Sequence, residues 1–250
     1  MTEPGQRGTE VSATGPQHVA VVIAARNQRS ALAATVRACR AIPGVDLIVV
    51  VDDGSDDDTG SVARLAGAAV VRHSVPRGLA SALETGVKVV AMRDRADWPA
   101  RNILFLEPDL GDSAVEATPL VEAVGAGEAS CAIGVPVGAS RLASVRKARA
   151  AAREIRRRTG ELPLDASATN RCITREALIR IMPFHGVSAV YVAMTLDLIA
   201  QGFKVVEIPC AFDQGNDSKR SSRRRGPRRA DVWVAVKTRQ LRRWRRAFKR

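Results

Sequence analysis

The chain has 250 residues, 46% of them hydrophobic, enough to bury a large core in one α/β domain with or without a subdomain. Aromatics make up only 4%, too few for stacking platforms along single-stranded nucleic acid, and the four cysteines show no Cys-x-x-Cys spacing that would point to zinc or redox chemistry. The net charge of +13 is concentrated: residues 218–250 hold 15 basic residues and one acid, while the rest holds 24 basic against 25 acidic residues.

Residues 1–17 are polar, lack the apolar run of a signal peptide, and read as a disordered leader; with no long apolar stretch elsewhere, the chain reads as cytoplasmic. The run HVAVVIAA (18–25) predicts a first buried strand, and the spacing of Leu32, Val36 and Cys39 a helix that stops near Pro43 and Gly44. A second strand runs into Asp52 and Asp53, followed by a turn at Gly54 and Ser55, a short helix to Ala66 and a third strand over 69–72. A helix over 78–92 and a strand over 103–106 complete a repeated βα unit, which implies a parallel sheet with right-handed crossovers. The second half predicts helices over 114–124, 142–158, 175–182 and 190–201, strands over 132–136 and 205–208, and a loop over 160–170. This gives one domain over 18–217 and a basic tail over 218–250.

Two apolar runs end in acid: DLIVVVDDGSDDDT (46–59) and NILFLEPDLGDS (102–113). Uninterrupted aliphatic runs suit the middle of a parallel sheet, and ligands of open α/β sheets bind beyond the carboxyl ends of the strands. Asp52, Asp53, Glu107 and Asp109 therefore gather at one rim, where their repulsion calls for a cation or for hydrogen-bond donors such as a base or a ribose. Asp56, Asp57, Asp58 and Asp112 read as caps and turn formers. His73 and His185 have no partners at ligand spacing and read as loop or surface histidines.

These segments, with the Arg77-Gly78 turn before ETG (84–86) and with GFKVVEIP (202–209), resemble the family 2 glycosyltransferases, whose fold is the nucleotide-diphospho-sugar transferase, or GT-A, fold. The subgroup that looks most similar contains the polyprenyl- and dolichol-phosphate sugar synthases and the glucosyl-3-phosphoglycerate synthases. The resemblance implies transfer of a sugar from a UDP- or GDP-sugar, with Mg2+ or Mn2+, to an anionic or lipid-phosphate acceptor, and it admits a homodimer. Ala25, Arg26, Asn27, Asp52, Asp53, Arg77 and Gly78 would then bind the donor nucleotide. Asp109, Glu107 and Gln214 would hold the metal, Arg171 would meet the acceptor or a phosphate, and Asp109, Asp197 and Tyr191 would serve catalysis.

Several positions depart from the family pattern. Glu107 replaces the first acid of a DxD, with Pro108 stiffening the turn. Leu79 stands where relatives carry lysine, Gln214 where they carry a histidine ligand, and Tyr191 where many carry an acid. Two readings follow: an active transferase whose acceptor oxygen is already ionised, or a degenerate member acting as a regulatory or scaffolding partner. The tail, with Trp233, Leu241, Trp244 and Phe248 near one helical face, either packs those side chains on the body with its arginines solvated or lies on an anionic membrane surface at the inner face, and nucleic acid suits it less.

Overall fold

The computed structural model describes residues 18–137, 165, 168–184 and 189–213. The expected leader, the helix over 142–158, His185, Gln214 and the basic tail lie outside the described residues. No helix among the described residues is long and apolar enough to cross a membrane.

The first half follows the βα alternation. The strands β1 (Val19–Ala25), β2 (Val45–Asp52), β3 (Ala69–Arg72) and β4 (Asn102–Phe105) are linked by helices α1 (Leu32–Cys39), α2 (Thr59–Leu65) and α3 (Leu79–Ala91). All four strands run parallel, with β1 between β2 and β4, and β3 on the far side of β2. Successive β1 side chains feed opposite faces: Val19, Val21 and Ile23 join one apolar cluster with α1, while Ala20 and Val22 join the other with α3. Buried Leu32, Thr35, Val36 and Cys39 form a single stripe on α1. Helix α3 comes so close to the sheet that a Cβ on Gly86 would stand 2.3 Å from Val22 Cγ1.

The second half departs from a purely parallel sheet. After β5 (Cys131–Pro136), the three-residue strand β6 (Arg171–Ile173) inserts antiparallel between β4 and β5, and β7 (Val205–Cys210) pairs parallel with β5 at the edge. The resulting order is β3-β2-β1-β4-β6-β5-β7. The expected helix over 114–124 divides into a 3-10 run, Gly111–Ala117, and α4 (Thr118–Gly125), because Pro119 is suited to a first helical turn and not to a helix interior. Helix α5 (Arg175–Ile181) starts on the Thr174 hydroxyl, which accepts from the Ala177 amide. Helix α6 (Val190–Ala200) is buried on nearly every face, as its continuous apolar sequence requires.

Antiparallel insertion brings the start of β6 to the same rim as the ends of β1, β2 and β4: Phe105 pairs with Arg171. The end of β7 arrives there too, where the Asp213 amide donates to Ser113 Oγ at 2.9 Å. All four cysteines are buried free thiols. Burial pushes their pKa up, to about 12 for Cys39 and to about 11 for Cys131 and Cys210, with Cys172 raised as well.

Candidate functional site

The two adjacent aspartates at the end of β2 do different things, because successive strand residues face opposite ways. Asp52 is fully buried. Its Oδ1 accepts from the amide of Ser55 at 2.9 Å and from the Ser55 hydroxyl at 2.5 Å, and Arg72 stands 3.7 Å from Oδ2. Gly60 on α2 seals it, since a Cβ there would lie 2.9 Å from Oδ2. The Asp52 carboxylate thus builds the turn beneath the rim through Oδ1.

Asp53 holds a second loop. Its Oδ1 accepts from His73 Nδ1 at 2.7 Å and from the Arg77 amide at 2.8 Å, and its Oδ2 accepts from the Gly78 amide at 2.8 Å. An ionised carboxylate only accepts, so His73 Nδ1 carries the hydrogen, and Nε2 meets the Thr85 hydroxyl at 3.0 Å. His73, expected as a loop or surface histidine, is a loop residue but a buried one, with both ring nitrogens engaged. The Asp53-bound amides precede α3, whose N-cap Gly78 has φ 88°, a conformation that favours glycine. Gly54, at φ 67°, has no room for a side chain, because a Cβ would stand 2.8 Å from Pro76 N.

Burial raises the Asp53 pKa, but bonds from Arg77, His73 and Gly78 outweigh it and hold the carboxyl below its ordinary 3.8. A folded pKa below the unfolded one gives stability that is complete above the unfolded value and is lost as pH falls through the folded value. Urea unfolding at about pH 6 and about pH 3 is expected to show wild type losing more stability on acidification than Asp53→Asn. Equal losses in the two proteins would remove this assignment.

At the end of β1, Ala25 is buried and its carbonyl accepts from the Asp53 amide, whereas Arg26 and Asn27 are exposed. Asn27 adopts φ 53°, a left-handed conformation that asparagine tolerates. Its amide donates to Ser55 Oγ and its Oδ1 accepts from the Asp56 amide, while the Gln28 amide donates to Thr59 Oγ1 at 2.8 Å. The loops after β1 and β2 are thereby zipped together, with the Arg26 and Arg77 side chains left exposed at the rim.

Glu107 and Asp109, beyond β4, are half-buried. Their turn is braced on two sides: the Glu107 amide donates to Asn170 Oδ1 at 2.9 Å, and Thr35 Oγ1 donates to the Pro108 carbonyl and accepts from the Gly111 amide, each at 2.9 Å. Among the described residues no three His, Cys, Asp or Glu side chains cluster to hold a metal ion. Two carboxylates fit a hard divalent cation that shares its coordination with a phosphate-bearing ligand, which is how Mg2+ is usually held.

Three further candidate residues belong to the second half of the fold, on β6 and α6. Arg171 lies in the core, donating to the Tyr191 carbonyl at 3.2 Å, to Thr195 Oγ1 at 3.0 Å and to the Ala168 carbonyl, with its guanidinium 4.9 Å from the Tyr191 ring. Burial lowers its pKa, opposed by Cys131, Tyr191 and Asp165. It ties β6 to α6 and to the loop before β6. Tyr191 is buried beneath it. Asp197 sits six residues further along α6, about 9 Å along the helix axis and toward the opposite end of the sheet. Sequence reasoning placed Ser55 in the turn after Asp53 but missed Thr35, His73 and Asn170 as site-building residues.

Known proteins share this fold. The family model described as Glycosyl transferase family 2 matches residues 20–184. The glucosyl-3-phosphoglycerate synthase of Mycobacterium tuberculosis, solved with phosphoglyceric acid, superposes with a TM-score of 0.67 at 20% identity over 89% of this chain and 81% of that one. The same synthase solved with Mn2+, UDP and glucosyl-3-phosphoglycerate gives 0.66 at 20% identity, over 91% and 81%. The succinoglycan biosynthesis protein ExoU of Rhizobium meliloti is 36% identical over 84 residues, 32% of this chain and 25% of that protein. An uncharacterized protein of Methanocaldococcus jannaschii, MJ1222, is 35% identical over 83 residues, 33% of this chain and 34% of that protein. The match thus spans about a third or less of these curated relatives. With the fold shared and the family model covering well over half of its length, the chain belongs to glycosyl transferase family 2 and has the GT-A fold.

Proposed function

We propose that this protein transfers a sugar from a nucleoside-diphosphate sugar to an anionic acceptor. The observation that carries the reading is the rim itself: two zipped loops after β1 and β2 stand beside a braced acidic turn after β4, in a chain of this family. Asp53 keeps one acceptor position on Oδ2 for a base or ribose donor, while the exposed Arg26 and Arg77 suit a diphosphate. Glu107 and Asp109 would hold Mn2+ or Mg2+, which neutralises charge on the departing nucleoside diphosphate. Related synthase structures that contain UDP with Mn2+ or with Mg2+, and UDP-glucose with phosphoglyceric acid, support this choice of donor, metal and acceptor class.

The chain's own contribution is binding and orientation. Tyr191 is buried beneath the Arg171 guanidinium, and a phenol, with an ordinary pKa of about 10, is a poor general base, so an acceptor oxygen that is already ionised, as on a phosphate, suits this site best. A lipid-linked phosphate and a soluble one share that chemistry. A second reading, a partner protein that binds without turnover, is favoured by the engagement of both Asp52 and Asp53 in holding loops.

Isothermal titration with UDP and GDP in Mn2+, in Mg2+ and in EDTA tests the proposal. Metal-dependent binding in the micromolar range is expected for one nucleotide. Absence of binding under every condition would overturn the transferase reading and bring the partner role forward.

A further inference from the structure

Thr35 is a fully buried polar residue in the first turn of α1. A helical threonine commonly bonds back to the carbonyl four residues earlier, but here that contact, to Ala31, is a long 3.5 Å. The hydroxyl instead reaches a segment more than 70 residues away, donating to the Pro108 carbonyl and accepting from the Gly111 amide at 2.9 Å each. Those two groups bracket Asp109. From the other side, Asn170, also buried, accepts from the Glu107 amide. The backbone of the acidic turn is thus fixed at residues 107, 108 and 111 by side chains from two other parts of the fold, and Asp109 lies inside the fixed interval.

We infer that Thr35 is a positioning residue for the divalent cation, with Asn170 as its counterpart: its hydroxyl sets the direction in which Asp109 presents its carboxylate. This rests on the transferase reading above. The alternative is that the hydroxyl only satisfies two buried backbone groups and contributes stability alone. Valine distinguishes the two, because it keeps the branched shape and removes both hydrogen bonds, whereas serine keeps the bonds and removes a methyl.

The test is titration of UDP into wild type, Thr35→Val and Thr35→Ser, in Mn2+ and in EDTA, with bound Mn2+ followed by electron paramagnetic resonance. Groups that orient metal ligands typically change metal affinity by about 10- to 100-fold. Thr35→Val is expected to weaken UDP binding in Mn2+ by about tenfold and to release Mn2+, with UDP affinity in EDTA unchanged and Thr35→Ser close to wild type. If Thr35→Val weakens UDP equally in Mn2+ and in EDTA, or not at all, the positioning role is wrong. Wild type that shows no metal-dependent UDP binding would instead sink the transferase reading, and this inference with it. Should Thr35→Val fail to fold, Asn170→Ala is expected to give the same split between Mn2+ and EDTA, and its absence would likewise overturn the clamp.

Discussion

Asp109→Asn is expected to lose sugar transfer by about a thousandfold while melting within about 2 °C of wild type. The amide keeps the volume and removes the charge. Asp109 is half-buried, and its turn is anchored through neighbouring backbone and not through its own carboxylate, so folding has little stake in that charge. Transfer does have a stake, since a cation that stabilises a departing diphosphate lowers the barrier by several kcal/mol, and about 1.4 kcal/mol is a factor of ten in rate. Steady-state transfer from a sugar conjugate of the nucleotide identified by titration, alongside a thermal melt, gives both numbers. Retention of more than a tenth of the activity would remove Asp109 from the metal site, and a large fall in melting temperature would make it structural.

Asp94→Ala is expected to cost about 3–5 kcal/mol of stability, the usual result of stripping a buried charge of its partner. At the end of the sheet away from the rim, Arg101 makes a bidentate pair with Asp46 at 2.8 Å and reaches Asp94 Oδ1 at 3.0 Å, while Arg175 on α5 reaches Asp94 Oδ2 at 2.6 Å. Asp94 therefore separates two arginines whose side chains are each only 10% exposed. Hydrogen bonding to Asp46 raises the Arg101 pKa, whereas burial lowers that of Arg175, with Arg101 adding to the effect. Without Asp94 the two guanidinia face each other across a site that water reaches poorly. At about 2–4 °C per kcal/mol the melting temperature would fall by about 10 °C. Nearby, Arg95 and Asp97 form an exposed pair, and Asp97→Ala is the control expected to have little effect. Equal behaviour of the two variants would show that the network adds nothing.

The first half of the fold is legible because its signals are local. Periodicity of 3.6 on α1 and α3, and unbroken aliphatic runs on β1 and β2, need no knowledge of distant residues. Strand β6 is the opposite case: three residues, one of them an arginine, whose place between β4 and β5 is decided by pairing with segments some 40 and 70 residues earlier. The same non-local pairing gives Arg171 surroundings that its local sequence does not announce. An arginine beside a family-like motif reads as a phosphate contact, while in the fold the Tyr191 carbonyl and Thr195 hydroxyl of α6, the Ala168 carbonyl before β6 and the Tyr191 ring engage it inside the core. Adjacent Asp52 and Asp53 were readable as rim acids, but which one turns inward depends on the approach of α2 at Gly60. Thr35 and Asn170 carry no motif, since a brace on a distant turn is visible only once the chain has folded.

The four thiols make this chain convenient to label. Thiolate is the reactive form, and at neutral pH all four native cysteines are both shielded and protonated. A single cysteine introduced at the exposed Arg26 position would therefore accept a maleimide dye on the unmodified background, reporting on ligand arrival at the rim with no need to delete the native sulfhydryls first.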